Sequence, residues 1–236
     1  LSLHDALPIL GAEVIKIELP PAGDVTRSLN PFGWLYREQG PMFMHINPNK
    51  YYMALDLHID IAQQIFKELC VKADIVEFNL RPAVTNRWNI GYEDIRKVNP
   101  QIIYIEKNGF GQWGRYAEED RPSNDGAAQA LSGYAWMSSF PGQPPLKQSI
   151  WICDYYGGLM GEVAVLAALH HRRKTGKGQY IEMSQSENIM RTMGWIWPYQ
   201  QFTGKAAEPT GNRDQCICPA DTFLCRDNRF VALAAP

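Results

Sequence analysis

Short β-rich segments alternate with stretches of helical periodicity along this chain, and that alternation limits the fold more than any single motif. Glu13-Val-Ile-Lys-Ile-Glu18 reads as a strand and is followed by the Pro20-Pro-Ala-Gly-Asp24 turn. Tyr52 to Leu57, Asp74 to Phe78 and Gln101 to Glu106 read as three more strands. Between them, apolar residues at 61, 62, 65, 66 and 69 predict a helix over Ile61 to Val71, and Tyr92 to Val98 predicts a short one. Residues 28–50, with Pro31, Gly33, Gly40, Pro41 and Pro48, read as a long functional loop. Such alternation predicts an α/β fold: a Rossmann-like parallel sheet with flanking helices and ligands at the carboxyl ends of its strands. The loops after those strands carry Arg27, His58, Asn79-Leu80-Arg81, Arg87 and Lys107, a rim of cations and amides.

The second half turns on Trp151-Ile-Cys-Asp-Tyr-Tyr-Gly-Gly-Leu-Met-Gly161. Apolar residues run into Asp154, two glycines follow, and Leu159 to Lys174 reads as a long apolar helix closed by Gly176. This predicts an acid at a strand-to-helix junction; the blander reading is that Asp154 caps the helix. Within the Gly-, Pro- and Ser-rich residues 108–150 one helix is expected, Asp125 to Gly133. Gln179 to Met183 reads as a strand, and Ser184 with Glu187 spells a capping box for the next helix. After Thr203-Gly-Lys-Ala-Ala207 the composition shifts to loops and short strands. The expected organisation is a large domain over 10–203 and the start of a smaller one over 204–236. Residues 1–9 lack an initiator Met and read as foreign to the parent, and the chain reads as a fragment.

Charge narrows the function. Twenty-three Lys and Arg against 25 Asp and Glu give a net charge of −2, without the basic excess of a nucleic-acid binder. No apolar run reads as a membrane span, because Pro, Gly and charges interrupt each candidate. Five scattered cysteines do not form a disulfide framework, which favours a cytoplasmic setting.

Most local motifs reduce to structure. Gly109-Phe-Gly-Gln-Trp-Gly114 has dinucleotide spacing, but Arg115 to Pro122 is not the apolar helix that fingerprint requires. Cys216, Cys218 and Cys225 lack a fourth ligand and zinc spacing, so no metal is expected. His170 and His171 end a helix, and Arg172 to Lys177 is its solvated end. Trp195, Trp197 and Tyr199 suit packing, and no G-x-S-x-G is present.

Taken in order, Gly11 to Glu18, Gly23-Asp-Val-Thr-Arg27, Asn47-Pro-Asn-Lys50 with Leu55-Asp-Leu57, Ala73-Asp74, Asn79-Leu-Arg-Pro82 and Asn99-Pro100 form a series. Gly109-Phe-Gly-Gln112, Asp125-Gly-Ala-Ala-Gln129, Asp154 with Gly157-Gly158, and Lys174-Thr-Gly-Lys-Gly-Gln179 continue it. The series resembles the class III CoA-transferases, the family of formyl-CoA and carnitine CoA-transferases. The resemblance implies an α/β domain plus a smaller domain in an interlocked homodimer, acyl-CoA and carboxylic acid substrates, and no cofactor besides CoA as substrate and product. It puts Asp154 on the catalytic aspartate and Asp125 where some members keep an active-site acid. It puts Arg27, Leu55 to His58, Asn79, Leu80 and Arg87 on positions that hold CoA.

A carboxylate suits that chemistry. Asp154 would attack an acyl-CoA thioester to give a mixed anhydride, and the released thiolate would then form an aspartyl-CoA thioester that a second acid reverses. Backbone N–H groups at Gly157 and Gly158 are the expected oxyanion donors. The family's first strand and helix have no counterpart here, and Gly211-Asn-Arg213 stands where formyl-CoA transferase has a glycine-rich loop. A racemase of the α-methylacyl-CoA type needs a His-Asp pair, which falls on Asn124-Asp125; Asn cannot be the base. A non-catalytic CoA-binding protein is the third reading, and it gives Asp154 no task. Trp151, Tyr155, Tyr156, Trp195 and Trp197 make a bulky or aromatic acyl group worth testing.

Overall fold

The computed structural model describes residues 7–235. Strands β1 (Val14–Glu18) and β2 (Lys50–Ala54) are separated by helix α1 (Pro41–Ile46). Then follow α2 (Asp60–Lys72), β3 (Ile75–Phe78), α3 (Val84–Arg87), α4 (Tyr92–Val98), β4 (Ile103–Asn108) and α5 (Arg115–Glu118). Helices α6 (Asp125–Leu131), α7 (Tyr134–Met137) and α8 (Ile152–Thr175) precede β5 (Gln179–Ser184). The rest is α9 (Gln185–Met190), α10 (Ile196–Thr203), β6 (Ala220–Leu224) and β7 (Phe230–Ala234). Packing divides the chain into two compact units, Leu1–Pro122 with Asp154–Gln185, and Ser123–Cys153 with Ser186–Pro236. This division cuts across the boundary expected at 203/204.

In the first unit the pairing is parallel, as the alternation requires, but it forms two sheets rather than one: β1-β2 and β3-β4-β5. Central β4 is buried on both faces, which a parallel strand between helical layers must be. Ile102 and Tyr104 pack with Phe66, Cys70 and Ile95 from α2 and α4. Ile103 and Ile105 point the other way, toward Val165 and Ala168 of α8 and Met183 of β5. Burial pushes the Cys70 thiol up to about 12, so it stays protonated and inert.

Two faces differ from the sequence pattern. Helix α2 buries Ala62, Gln63, Phe66 and Cys70, whereas Ile61 and Ile65 are exposed. The inward stripe lies about 100° round from the one those isoleucines would favour. Strand β1 buries Lys16 and leaves Ile15 exposed. Lys16 is tolerated inside because Asp24 accepts from its ammonium and Glu18 lies 3.4 Å away.

Asp24 also accepts from the Thr26 N–H at 2.7 Å and hydroxyl at 2.6 Å. Burial alone would raise its pKa, but the Lys16 ammonium and the Thr26 donors outweigh it and hold the carboxyl at about 2 against an ordinary 3.8. A depressed folded-state pKa adds stability above pH ~4 that disappears as pH falls toward 2. Wild type is therefore expected to exceed Asp24→Asn by on the order of 1–2 kcal/mol near neutrality, after discounting for partial exposure. Urea unfolding at stepwise lower pH should show that gap closing below pH 4; a gap independent of pH would remove the ion pair from the explanation.

Helix α8 has 24 residues and a stretch of 18 with mean hydropathy 1.3, so by length and composition it could cross a membrane, contrary to the sequence reading. Its charges are Asp154 in the first turn, Glu162 in the middle and Arg172 to Lys174 at the end. Cys153, Gly157, Gly161, Val165 and Ala168 make a buried stripe, the last two packed on the sheet as in a core helix. Its C-terminus is tied down by Arg172, which donates to the Asp74 carboxylate at 2.7 Å and to the Asp74 and Gln101 carbonyls, so this end is less solvated than its sequence suggests. Gly176 follows at φ +72, the expected left-handed stop.

In the second unit, Met193, Ile196 and Ala207 form a small core with Tyr134 and Met137, and the Trp136 indole donates to the Ala207 carbonyl at 2.9 Å. β6 and β7 pair antiparallel as a hairpin. Cys216 and Cys218 are exposed in the loop before it, and among the described residues no disulfide forms.

Candidate active site

Asp154 is in the first turn of α8, with no strand leading into it; residues 144–151 are irregular. It is the third helical residue rather than the N-cap, so the cap reading also fails in detail. An acid here still gains from the positive helix end. The side chain is partly buried. Gln185, the first residue after β5, donates its side-chain amide to Asp154 Oδ1. That bond sets Asp154 at the carboxyl end of the β3-β4-β5 sheet, where register also brings Asn108 beside Ser184.

Gly157 and Gly158 lie in the second turn of α8. There a backbone N–H donates to the carbonyl four residues back, so these two are not open to an oxyanion, and the expected role is corrected. Gly157 instead faces Lys107: a Cβ on it would sit 3.6 Å from the Lys107 ammonium. Lys107, at the end of β4, is only 2% exposed, so a buried cation lies beneath the face of α8 that Asp154 and Gly157 share at i, i+3. Tyr155 meets His45 edge-on with ring centroids 6.4 Å apart. His45 belongs to α1, the helix that the loop reading of 28–50 missed.

The expected CoA-holding residues also fall in the first unit. Arg27 donates Nε and Nη2 to Glu18 at 2.8 and 3.1 Å and lies over the Phe43 ring, 3.9 Å from its centroid. The Glu18 hydrogen bond outweighs burial and raises its pKa, so it stays charged. The Glu18 carboxyl is lowered in turn: burial pushes it up, but the Arg27 and Asp24 hydrogen bonds and the Lys16 charge pull it further down. Gly23 is required there, since at φ +70 a Cβ would lie 2.5 Å from Glu18 Oε2. Leu55 follows β2 and bonds its N–H to the Glu18 carbonyl. His58 is exposed, donates its Nδ1–H to Asp56 Oδ1 at 2.6 Å, and packs edge-on against Trp88, next to Arg87. Asn79 and Leu80 follow β3, and Arg87 is exposed in the last turn of α3. The structure therefore joins His58 to the Arg87-Trp88 turn and Arg27 to α1.

The loop Gly109 to Gln112 is clamped rather than opened for a dinucleotide. Asn108 Oδ1 accepts from the N–H groups of Phe110 and Gly111, and Glu182 accepts from Gln112 at 2.8 Å. Only a four-residue helix, α5, follows it.

Asp125 belongs to the second unit and is 4% exposed. Its Oδ1 accepts from the Cys153 N–H at 2.8 Å and its Oδ2 from Gln129 at 2.6 Å. Both oxygens are thus engaged, one of them by a first-turn N–H of α8. Asn124 caps α6 by accepting from Ala127 N–H at 3.0 Å. A cavity of about 410 Å³ in this unit is lined by Trp195, Tyr199, Glu208, Arg213 and Asp214, so it holds one of the aromatics expected near an acyl group but none of the expected catalytic or CoA-holding residues.

Comparison with known proteins gives the family. The profile described as CoA-transferase family III matches residues 5–236. The chain belongs to CoA-transferase family III. Acetyl-CoA:oxalate CoA-transferase of Acetobacter aceti is 35% identical over 94% of this chain and 56% of its own. The succinyl-CoA–L-malate CoA-transferase beta subunit of Chloroflexus aurantiacus is 33% identical over 95% of this chain and 55% of its own. A CaiB/BaiF family protein of Brucella suis superposes with a TM-score of 0.86 at 28% identity, over 97% of this chain and 60% of that one. The chain thus spans somewhat more than half the length of these family III members.

Proposed function

We propose that the protein carrying this chain transfers CoA from an acyl-CoA to a carboxylic acid, with Asp154 as nucleophile. The observation that carries this reading is the Asp154 carboxylate itself, held by Gln185 at the carboxyl end of a parallel sheet with a buried Lys107 below its helical face. Oδ2 attacks the thioester carbonyl carbon, the C–S bond breaks, and the thiolate leaves with its electron pair. The thiolate then attacks Asp154 Cγ, the Cγ–Oδ2 bond breaks, and the first acid departs with that oxygen. A second carboxylate reverses both steps and leaves as the new acyl-CoA. Arg27, Leu55, His58, Asn79, Leu80 and Arg87 hold CoA, the arginines facing its phosphates. Asp125 supports the first turn of α8.

The relatives named above act on oxalate and L-malate, and others are named for mesaconate and glutarate. All are dicarboxylates, so small dicarboxylic acids are the first acceptors to test, with bulky aromatic acids as the second set. The reading includes a cytoplasmic homodimer; Tyr155, Leu159, Val163 and Leu166 form an exposed apolar stripe on α8 that supports a covered face. The test incubates the intact protein with a panel of acyl-CoAs and acids, follows exchange by mass spectrometry, and adds hydroxylamine to convert activated Asp154 to its hydroxamate. Exchange with a hydroxamate on Asp154 supports the proposal. CoA binding with no exchange and an unmodified Asp154 leaves a CoA-binding protein.

A further inference from the structure

Gln185 is buried at the head of α9, directly after β5, and its side-chain amide meets Asp154 Oδ1 across 31 residues of chain. An ionised carboxylate only accepts, so it is the N–H₂ end of the amide that faces it. We infer that Gln185 is a catalytic residue, the oxyanion donor for the Asp154 carbonyl. This rests on the aspartyl mechanism proposed above.

The assignment follows the fate of the two oxygens. Gln185 holds Oδ1, and in the proposed reaction Oδ2 attacks the thioester carbon and becomes the bridging oxygen of the anhydride. Oδ1 is then a neutral carbonyl oxygen still lying on the Gln185 N–H. When the thiolate attacks Cγ, the electron pair of the C=O bond moves onto Oδ1, and the full charge develops at the atom Gln185 already touches. It returns when the Cγ–Oδ2 bond breaks and the acid leaves. The acceptor carboxylate repeats this at Cγ with the thiolate as leaving group. This supplies a donor where Gly157 and Gly158, engaged in the helix ladder, do not.

The same bond also stabilises the ionised ground state, so its loss does not slow the opening attack by Oδ2. Gln185 acts differentially on the steps at Cγ, and only differential binding accelerates a step. Loss of one oxyanion donor costs roughly 10²–10³-fold.

The test is Gln185→Met, close in size but without the donor, in the intact protein mixed with an acyl-CoA that wild type uses. Formation of the Asp154–CoA thioester, read by intact mass after rapid quenching, is expected to slow by about 10²-fold. KM for the acyl-CoA and hydroxylamine-driven release of CoA thiol, which reports the first attack, are expected to stay within about threefold. Thioester formation within about threefold of wild type would overturn the assignment. So would an equal fall in thioester formation and hydroxylamine-driven release, the mark of a structural role. A wild type that forms no Asp154–CoA thioester while transferring CoA would instead sink the underlying mechanism.

Discussion

Asp154→Asn is expected to lower CoA transfer by at least ~10⁴-fold while leaving CoA affinity within about threefold. Asn is nearly isosteric, and its carbonyl oxygen can still accept from the Gln185 amide, so the side chain keeps its place. What disappears is the anionic oxygen that would form the proposed anhydride, and a neutral amide oxygen does not replace it. The structural cost is small: an acid in the first turn of a helix adds about 0.3–1 kcal/mol through the helix dipole. The two roles of Asp154 therefore separate cleanly. If it served the helix alone, the variant would lose a fraction of a kcal/mol in urea unfolding and keep its turnover. Steady-state exchange by mass spectrometry, with hydroxamate formation on the peptide that carries residue 154, decides the matter. Transfer within tenfold of wild type would remove Asp154 from the chemistry.

Asp125→Ala should behave in the opposite way, with a loss of about 3 kcal/mol in stability. Two charge-assisted hydrogen bonds, each worth roughly 1.5–3 kcal/mol, vanish together. They leave the Cys153 N–H and the Gln129 amide without their acceptor in a buried setting. Gln129 is 0% exposed and also accepts from the Gln148 N–H at 2.8 Å, so it cannot turn away without breaking that bond. For a chain of this size the melting temperature should fall by roughly 6–12 °C. Asp125→Asn should cost about half as much, since it keeps an acceptor for Cys153 but offers an N–H₂ to a donor. Denaturation of both variants, with the hydroxamate assay beside it, tests the role. Unchanged stability with lost Asp154 reactivity would return Asp125 to the chemistry as an acid.

The elements that were legible are those whose pattern is local. Helix α4 and strands β1, β3 and β4 lie within two residues of their expected limits, because a periodic run of apolar residues fixes the backbone over its own length. The Gly109 loop was also readable, from the missing apolar helix after it. Helix α1 was not: a six-residue helix between Gly40 and Asn47 has little propensity signal. It is held by contacts, with Phe43 under Arg27 and Lys50 donating to the Ile46 carbonyl at its C-terminus. The strand expected before Asp154 failed for a similar reason. Ile152 and Cys153 of that apolar run open the helix, and the Cys153 N–H in its first turn is met by Asp125.

The sequence by itself determined the order of strands and helices, the parallel α/β class and the family, because these depend on periodicity and on motif order. Tertiary structure alone decided which faces are buried and which groups meet Asp154. Lys16 goes inside while Ile15 stays out because Asp24 and Glu18 compensate its charge, and no periodicity encodes that compensation. Gln185 is an ordinary polar residue at the start of a short helix until β5 and α8 pack side by side. Only then does its amide reach an oxygen 31 residues away, a contact made by closing the chain and not by any local pattern.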